Sequence, residues 1–380
     1  MKSNVGHKEK RTCCGCGACA GICPKSCIQM NIDREGFSYP SVDESLCIEC
    51  GLCIKTCPWE HNEKKVPRHA YALKAKDSDV QYKSSSGGAF YVIASHLITK
   101  GYIVYGAAYS EDFSKIIHIR INQCSELPLL RGSKYVQSSL SESFNEIRSL
   151  LEAGERVLFS GTGCQVAALK SFLKRDYENL ITIDILCHGV PSPLLYKHYI
   201  DNVRKKYGEI SFINMKDKTN GWKHQQLKIV AKKDVPTDIQ DLWYRIFYSR
   251  VALRPSCYDC LFMDIARPGD ISLGDYWGIE HVSHEFLDKD GVSLMLSNTE
   301  KGCSVFNAVR DNFKWLETTT EECMQPVLRG AEGAPEWRNS FWDTYHELGF
   351  KETIFRFWNV SFDNKYIHTL KRILNRITRF

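Results

Sequence analysis

Two cysteine runs constrain this 380-residue sequence more than any other feature. Cys13, Cys16, Cys19 and Cys23 stand as C-x2-C-x2-C-x3-C before Pro24, and Cys47, Cys50, Cys53 and Cys57 repeat the pattern before Pro58. Such self-similarity marks a duplicated small module. Three thiolates at two-residue gaps let one tight loop wrap one face of a [4Fe–4S] cubane, while the Pro sends the fourth Cys to the other cluster. The spacing therefore assigns Cys13, Cys16, Cys19 and Cys57 to one cluster, and Cys47, Cys50, Cys53 and Cys23 to a second. Gly15, Gly17 and Gly51 fit, because backbone must approach the cluster closely and adopt special angles. Zinc takes four ligands from two C-x2-C pairs, whereas each run here supplies four by itself. Cys14 and Cys27 fall outside the pattern and read as structural or bystander thiols.

Of the 17 cysteines, ten lie between Cys13 and Cys57 and the others are scattered. A secreted chain would spread them as disulfides behind a signal peptide. Met1 to Arg11 is polar and charged instead, with no apolar core of a leader. No apolar run approaches the length of a membrane span. The expectation is a cytoplasmic protein with reduced thiols held by metal. The net charge of +5 is matched by residues 351–380, which carry seven Lys/Arg and two Asp/Glu, so the remainder is balanced. A neutral body argues against nucleic acid as a partner.

From Ser84 the texture changes to alternating strands and helices. Gly88–Lys100, Ser141–Glu152, Gln165–Leu173 and Leu194–Tyr207 carry helical periodicity. Tyr102–Tyr109, Ile116–Ile121, Arg156–Ser160 and Leu180–Cys187 read as strands, with Phe212–Lys216 and Leu227–Ala231 as two more. That alternation means an α/β layer with a mixed, partly parallel sheet. The expected organisation is an α+β ferredoxin-like module over 1–60, a connector with a first strand over 61–83, an α/β domain over 84–290, and an α/β extension over 291–380. The last segment ends in Ile367, Leu370, Leu374 and Ile377 at helical spacing, ringed by Lys371, Arg372, Arg376 and Arg379. A basic amphipathic helix of that kind either packs on its own domain or meets an anionic membrane or a partner.

Four stretches of the larger domain carry chemistry. Ser84 to Ala89 opens a helix with small residues, leaving N–H groups for a cofactor phosphate or simply capping the helix. Arg131-Gly-Ser-Lys-Tyr135 is a basic loop. Val157 to Gln165 is a strand, a glycine turn and a helix, close to the dinucleotide fingerprint but with Val166 for its third glycine; Asp184 follows at the distance of a ribose-binding acid. Cys164 in that turn stands at a helix N-terminus, where a thiol ionises readily. Cys257-Tyr-Asp-Cys260 is a half-site needing partners, and Cys164 and Cys187 come from strand ends of the same inferred sheet. Together Cys164, Cys187, Cys257 and Cys260 would complete a third [4Fe–4S] site, the alternative being buried free thiols beside a small structural metal.

The first module resembles bacterial two-cluster ferredoxins. SSSGGAF, RGSKYVQS, FSGTGCQVAAL, CHGVPSP and CYDCLF…R…DISLGDYWG, in that order, resemble the coenzyme F420 hydrogenase/dehydrogenase beta-subunit family from about Tyr71 to Glu280. The resemblance implies an α/β flavoprotein binding FAD and a [4Fe–4S] cluster, and moving electrons between a two-electron carrier and an iron–sulfur chain. Carried over by motif, Ser85, Ser86, Gly87, Gly88, Lys134, Tyr135, Gly161, Thr162 and Gly163 would line the flavin, and Cys164, Cys187, Cys257 and Cys260 would hold the third cluster. A flavin takes a hydride in one step and releases electrons singly, so the expected function is an FAD-dependent iron–sulfur oxidoreductase. Its partners would be a redox protein or ferredoxin and a two-electron donor or acceptor. Two other readings stay open: a non-catalytic electron carrier or adaptor docking on a separate enzyme, and a nicotinamide-dependent reductase using the Gly161 turn. His188 is a candidate proton relay, and no catalytic side chain is otherwise designated.

Overall fold

The computed structural model describes residues 4–140 and 143–362. The amphipathic segment around Leu370 lies outside them.

An antiparallel hairpin, β1 (Ile28–Ile32) and β2 (Ser38–Val42), forms the centre of the N-terminal module. Each cysteine run feeds one short helix, Ala18–Gly21 and Leu52–Lys55. Both helices start from a left-handed glycine, Gly17 at φ 77° and Gly51 at φ 69°, so the sequence repeat is a backbone repeat as well.

The remaining strands are β3 (His69–Ala75), β4 (Tyr102–Tyr109), β5 (Ile116–Ile121), β6 (Arg156–Thr162), β7 (Leu180–Ile185), β8 (Ile210–Asp217), β9 (Gln226–Ala231), β10 (Ile271–Asp275), β11 (Ser293–Ser297) and β12 (Phe313–Thr318). Eight of them form one sheet in the order β12-β3-β11-β10-β7-β6-β4-β5. Its middle, β4-β6-β7-β10, is parallel, and both flanks are antiparallel. This is the expected mixed, partly parallel α/β sheet. The expected divisions at 83/84 and 290/291 both fall within it, since β3, β11 and β12 come from outside 84–290.

Period-two side chains explain why the sheet is sandwiched. Leu158 on β6 and Val104 on β4 point into one core, under the helices Ala89–Thr99 and Glu300–Val309. Their neighbours Phe159 and Tyr105 point into the opposite core, against Ser143–Glu152 and Gly163–Leu173. Phe159 is fully buried, and truncating such a ring to Ala costs about 3–5 kcal/mol. A separate core gathers the helix Pro193–Tyr207, the β8–β9 ribbon and the aromatic helix Leu242–Ser249. The C-terminal helix Arg338–Trp358, interrupted at Gly349, packs on the same core through Phe341 and Trp342. Its Arg338 also pairs with Glu35 of the N-terminal module, tying the two ends of the chain together.

Parallel strands put their carboxyl ends at one edge, where α/β proteins gather ligands. Here β6 delivers the Thr162–Cys164 turn and β7 delivers Cys187 to that edge.

Candidate metal and cofactor sites

The N-terminal thiols fall into two groups around two small cavities. Cys13, Cys16, Cys19 and Cys57 line the first, and Cys23, Cys47, Cys50 and Cys53 line the second. The fourth cysteine of each run thus reaches the cavity of the other run. Cys14 also borders the first cavity and Cys27 the second, the Cys27 Sγ lying 3.4 Å from Cys23 Sγ. Among the described residues no three His, Cys, Asp or Glu side chains converge closely enough to hold a single metal ion. Each set of thiols rings a small cavity, a donor arrangement suited to an iron–sulfur group.

A third group lies at the sheet edge. Cys164, Cys187, Cys257 and Cys260 face a large cleft of about 280 Å³. Each receives donors from its surroundings: Thr162 Oγ1 is 3.1 Å from Cys164 Sγ, the Gly189 amide is 3.4 Å from Cys187 Sγ, the Val190 amide reaches Cys257, and those of Phe262 and Met263 reach Cys260. Burial nevertheless pushes the Cys187 thiol up to about 12 and the Cys260 thiol to about 11, and raises Cys257 well above its ordinary value. For Cys164 the largest cause of its rise is the hydrogen bond with Cys14, ahead of burial. These donors would favour the sulfurs as thiolates, the form in which a metal group takes them.

Arg267 and Asp184 hold this edge in place. The Asp184 carboxylate, wholly buried on β7, accepts from Arg267 Nε at 2.9 Å and from Arg267 Nη2, the Gly269 amide at 2.8 Å and Ser272 Oγ at 3.0 Å. Arg267 also donates to the carbonyls of Phe262 and Ile185, joining the segment after Cys260 to the end of β7. Asp184 is therefore a structural counter-ion that does not face the cleft, and the ribose-binding role suggested by its spacing is corrected. Its place within the expected strand Leu180–Cys187 already put it inside a strand, and the strand buries it.

The cleft continues past the third group. Ser85, Ser86, Gly88, Lys134, Tyr135 and Thr162 line it; Gly87, Gly161 and Gly163 do not. A Cβ on Gly87 would stand 2.0 Å from the Leu73 carbonyl oxygen, so this glycine exists to seat its loop on β3. Gly161 and Gly163 serve the turn itself, where the Thr162 amide is already taken by Gln165 Oε1 at 2.9 Å. Gly88, at φ 92°, instead starts the helix Ala89–Thr99 with no side-chain cap, leaving its amides toward the cleft. Ser85 Oγ accepts from the Ser133 amide at 2.7 Å, linking the loop at 84–88 to the loop at 131–135.

Two lysines, Lys134 half-buried and Lys218 buried, fix those loops. Lys134 Nζ donates to the carbonyls of Leu129, Leu130 and Arg131 at 3.0–3.2 Å, and burial lowers its pKa to about 7. Lys218 Nζ donates to the carbonyls of Gln81 at 2.8 Å, Ser86 at 2.9 Å and Asp290, and is lowered to about 8 by the same cause. Neither was visible as a pair of fasteners in the sequence. Tyr135 stacks on Phe247 with centroids 4.4 Å apart, and His188 faces the cleft with its pKa lowered by desolvation.

Comparison with known proteins gives two family-model matches. The family model for the C terminus of the coenzyme F420 hydrogenase/dehydrogenase beta subunit matches residues 154–322, and the model for a 4Fe-4S dicluster domain matches residues 12–61. Over residues 154–322 the chain is thus similar to the F420 hydrogenase/dehydrogenase beta-subunit family. With its dicluster segment, the chain is an iron–sulfur electron-transfer protein carrying an oxidoreductase-family domain. A solved structure it resembles is the F420-reducing [NiFe] hydrogenase complex from Methanosarcina barkeri, in a xenon derivatization study, at 14% identity over 76% of this chain and 91% of that chain, with a TM-score of 0.45. No curated protein matches.

The beta-subunit match spans all four cysteines of the third group and the Thr162 turn, while the loops at 84–88 and 131–135 lie before it. Two residues that sequence reasoning passed over link the matched segments, one from within each. Cys14, expected to be a structural or bystander thiol, hydrogen-bonds both Cys16 and Cys164 through its side chain. Arg254 reaches from the beta-subunit region into the dicluster module. A signal for Cys14 was its place beside a ligand in the run; Arg254 carried none. Among the described residues no helix is long and apolar enough to cross a membrane.

Proposed function

We propose that this chain is an iron–sulfur flavoprotein oxidoreductase that joins a two-electron carrier to one-electron partners. In this reading Cys13, Cys16, Cys19 and Cys57 hold one [4Fe–4S] cluster, Cys23, Cys47, Cys50 and Cys53 a second, and Cys164, Cys187, Cys257 and Cys260 a third. FAD would lie along Ser85, Ser86, Gly88, Lys134, Tyr135 and Thr162. Bound flavin would supply hydride acceptance in one step and single-electron release to clusters that each take one electron.

The observation that carries the reading is continuity. Cys14, Gly15, Cys16 and Trp59 line both the first thiol cavity and the large cleft, so the dicluster module opens onto the third group without intervening core. At the other end Cys50 is exposed, which places the second cavity at the surface where a redox protein can dock.

The chain's own groups do the binding and positioning. Amides at the start of Ala89–Thr99 would hold a phosphate. Tyr135, backed by Phe247, offers a ring face to a planar ligand. His188 stands in the cleft with its neutral form favoured, and can accept a proton there. The partner that exchanges hydride, whether deazaflavin, nicotinamide or another, would enter this same cleft.

Iron and flavin counts on anaerobically purified protein test the proposal. Three clusters give about 12 Fe per chain and two give about 8. The expected result is about 12 Fe and one flavin. A value near 8 removes the third cluster, and iron without flavin leaves a non-catalytic carrier or adaptor.

A further inference from the structure

The two cysteine runs repeat in sequence, but their surroundings differ in charge. Arg254 lies just before the Pro255–Asp259 turn that carries Cys257, and its side chain is 1% exposed. Nε donates to the Cys13 carbonyl at 2.7 Å, Nη1 to Gln137 Oε1 at 3.1 Å, and Nη2 to the Ser38 carbonyl at 2.8 Å. Nη2 also stands 3.7 Å from Cys13 Sγ. The guanidinium lies over Tyr39 at 4.4 Å and Phe37 at 5.4 Å. A Cβ on Gly15 would come within 2.5 Å of Nη1, so glycine at φ +67° is what admits the cation.

Among the described residues Arg254 forms no ion pair with a carboxylate; nearby Glu35 is taken by Arg338. A buried cation without a counter-charge is costly. At the corresponding place in the second run, Cys47 Sγ has the Asn4 amide at 3.9 Å, which also bonds the Glu44 carboxylate, and the Cys27 side chain; Lys25, which lines that cavity, is exposed to solvent rather than buried. Lys8, which approaches Cys57, is neutralised by Glu60 at 2.9 Å.

We infer that Arg254 is a positioning residue that raises the reduction potential of the cluster held by Cys13 above that of its sequence twin. The inference rests on the cluster reading above. A [4Fe–4S] core with four thiolates is anionic and gains one further negative charge on reduction, so an adjacent fixed cation favours the reduced form. Hydrogen bonds and charge at the sulfurs are what set such potentials. Electrons arriving at the exposed second cluster therefore run downhill to the first, and the cation responsible immediately precedes the turn that carries Cys257 of the third group.

An EPR-monitored redox titration of the full chain tests this, with Cys23→Ser assigning the signals by removing the second cluster. In the unmutated protein the Cys13 cluster should be reduced at the higher potential. Arg254→Gln should lower its reduced-to-oxidised ratio at fixed potential at least tenfold, about 59 mV for one electron, and leave the second cluster's titration in place. Arg254→Lys, keeping charge, should restore most of the shift. Full iron with an unshifted titration overturns the inference alone, leaving Arg254 a latch. Unmutated protein lacking the N-terminal iron overturns the cluster reading, and this inference with it. Should Arg254→Gln lose its cluster, pulsed EPR on unmutated protein labelled with 15N-arginine decides: nitrogen coupling to the higher-potential cluster supports the inference, and its absence overturns it.

Discussion

Replacing Asp184 by Ala isolates one buried charge and has a calculable cost. Arg267 is 1% exposed and would keep its contacts to the Phe262 and Ile185 carbonyls while losing its only carboxylate among the described residues. Breaking one side of a buried pair costs about 3–5 kcal/mol, chiefly through the uncompensated ion left behind. The Gly269 amide and Ser272 Oγ lose an acceptor too, each at about 1–3 kcal/mol if buried and unpaired. These losses overlap, so about 3 kcal/mol is a floor. At about 2 °C or more per kcal/mol for a domain of this size, the apparent melting temperature should fall by at least about 6 °C at a common scan rate. Replacing both partners by Leu and Met should not rescue it, because the backbone and hydroxyl partners stay stranded whatever happens to the charges. The assay is anaerobic thermal unfolding of cofactor-loaded protein. A shift below about 2 °C, particularly with a raised KM for a nicotinamide, would refute the argument and return Asp184 to a ligand role.

Cys57→Ser should remove about 4 Fe together with the cluster of the first run, and Cys23→Ser that of the second; Mössbauer counting with EPR checks the crossing, and a loss in its own run refutes it. Lys218→Met strands the carbonyls of Gln81, Ser86 and Asp290, so flavin Kd by fluorescence should rise at least tenfold with iron content unchanged. His118 is buried, its Nε2 bonded to the Ser160 carbonyl at 3.0 Å and its Nδ1 unpartnered, and desolvation lowers its pKa to about 4. The unfolded ring titrates near 6.5 and so binds more protons between about pH 4 and 6.5. This contribution, about 3 kcal/mol in full, is present above about pH 6.5 and fades as pH falls. Urea midpoints should drop between pH 7 and 5 more steeply in the unmutated protein than in His118→Phe; equal slopes would contradict this.

How far the sequence reaches depends on how far apart the cooperating residues are. The two runs are legible because each loop's ligands sit within eleven residues and their gaps are dictated by the inorganic core. The helices Pro193–Tyr207 and Gly163–Leu173 are legible from periodicity, each with its start within two residues of the expected one. Strands β3, β11 and β12 are harder: they are short, flank the parallel middle, and take their place through pairing with residues more than 200 positions away, as Leu73 pairs with Ser293. Local pattern contains nothing about such pairing.

The same reasoning separates the visible part of the site from the hidden part. Cysteines announce themselves by type, so the third group could be gathered from strand ends before the sheet order was known. Arg254 and Lys218 are common residue types in ordinary stretches, and their meaning comes wholly from what the fold brings to them: Cys13 from 241 residues away, and Ser86 from 132. Both are buried cations satisfied mainly by carbonyls. Carbonyl partners solvate a cation without cancelling its charge, which leaves Arg254 a source of positive potential in a low-dielectric interior, whereas Lys218 also feels the carboxylates of Asp290, Asp275 and Asp288. One stands against the first thiol cavity and the other behind the Ser84–Gly88 loop, the two places where the proposed reading puts an anionic cluster and a cofactor phosphate. Had Arg254 been paired with a carboxylate, the fold could be as stable, but the first cavity would lose its field. The distribution of uncancelled charge, more than the count of cysteines, is therefore the property that distinguishes an electron-transfer path in this chain from a set of metal-binding loops.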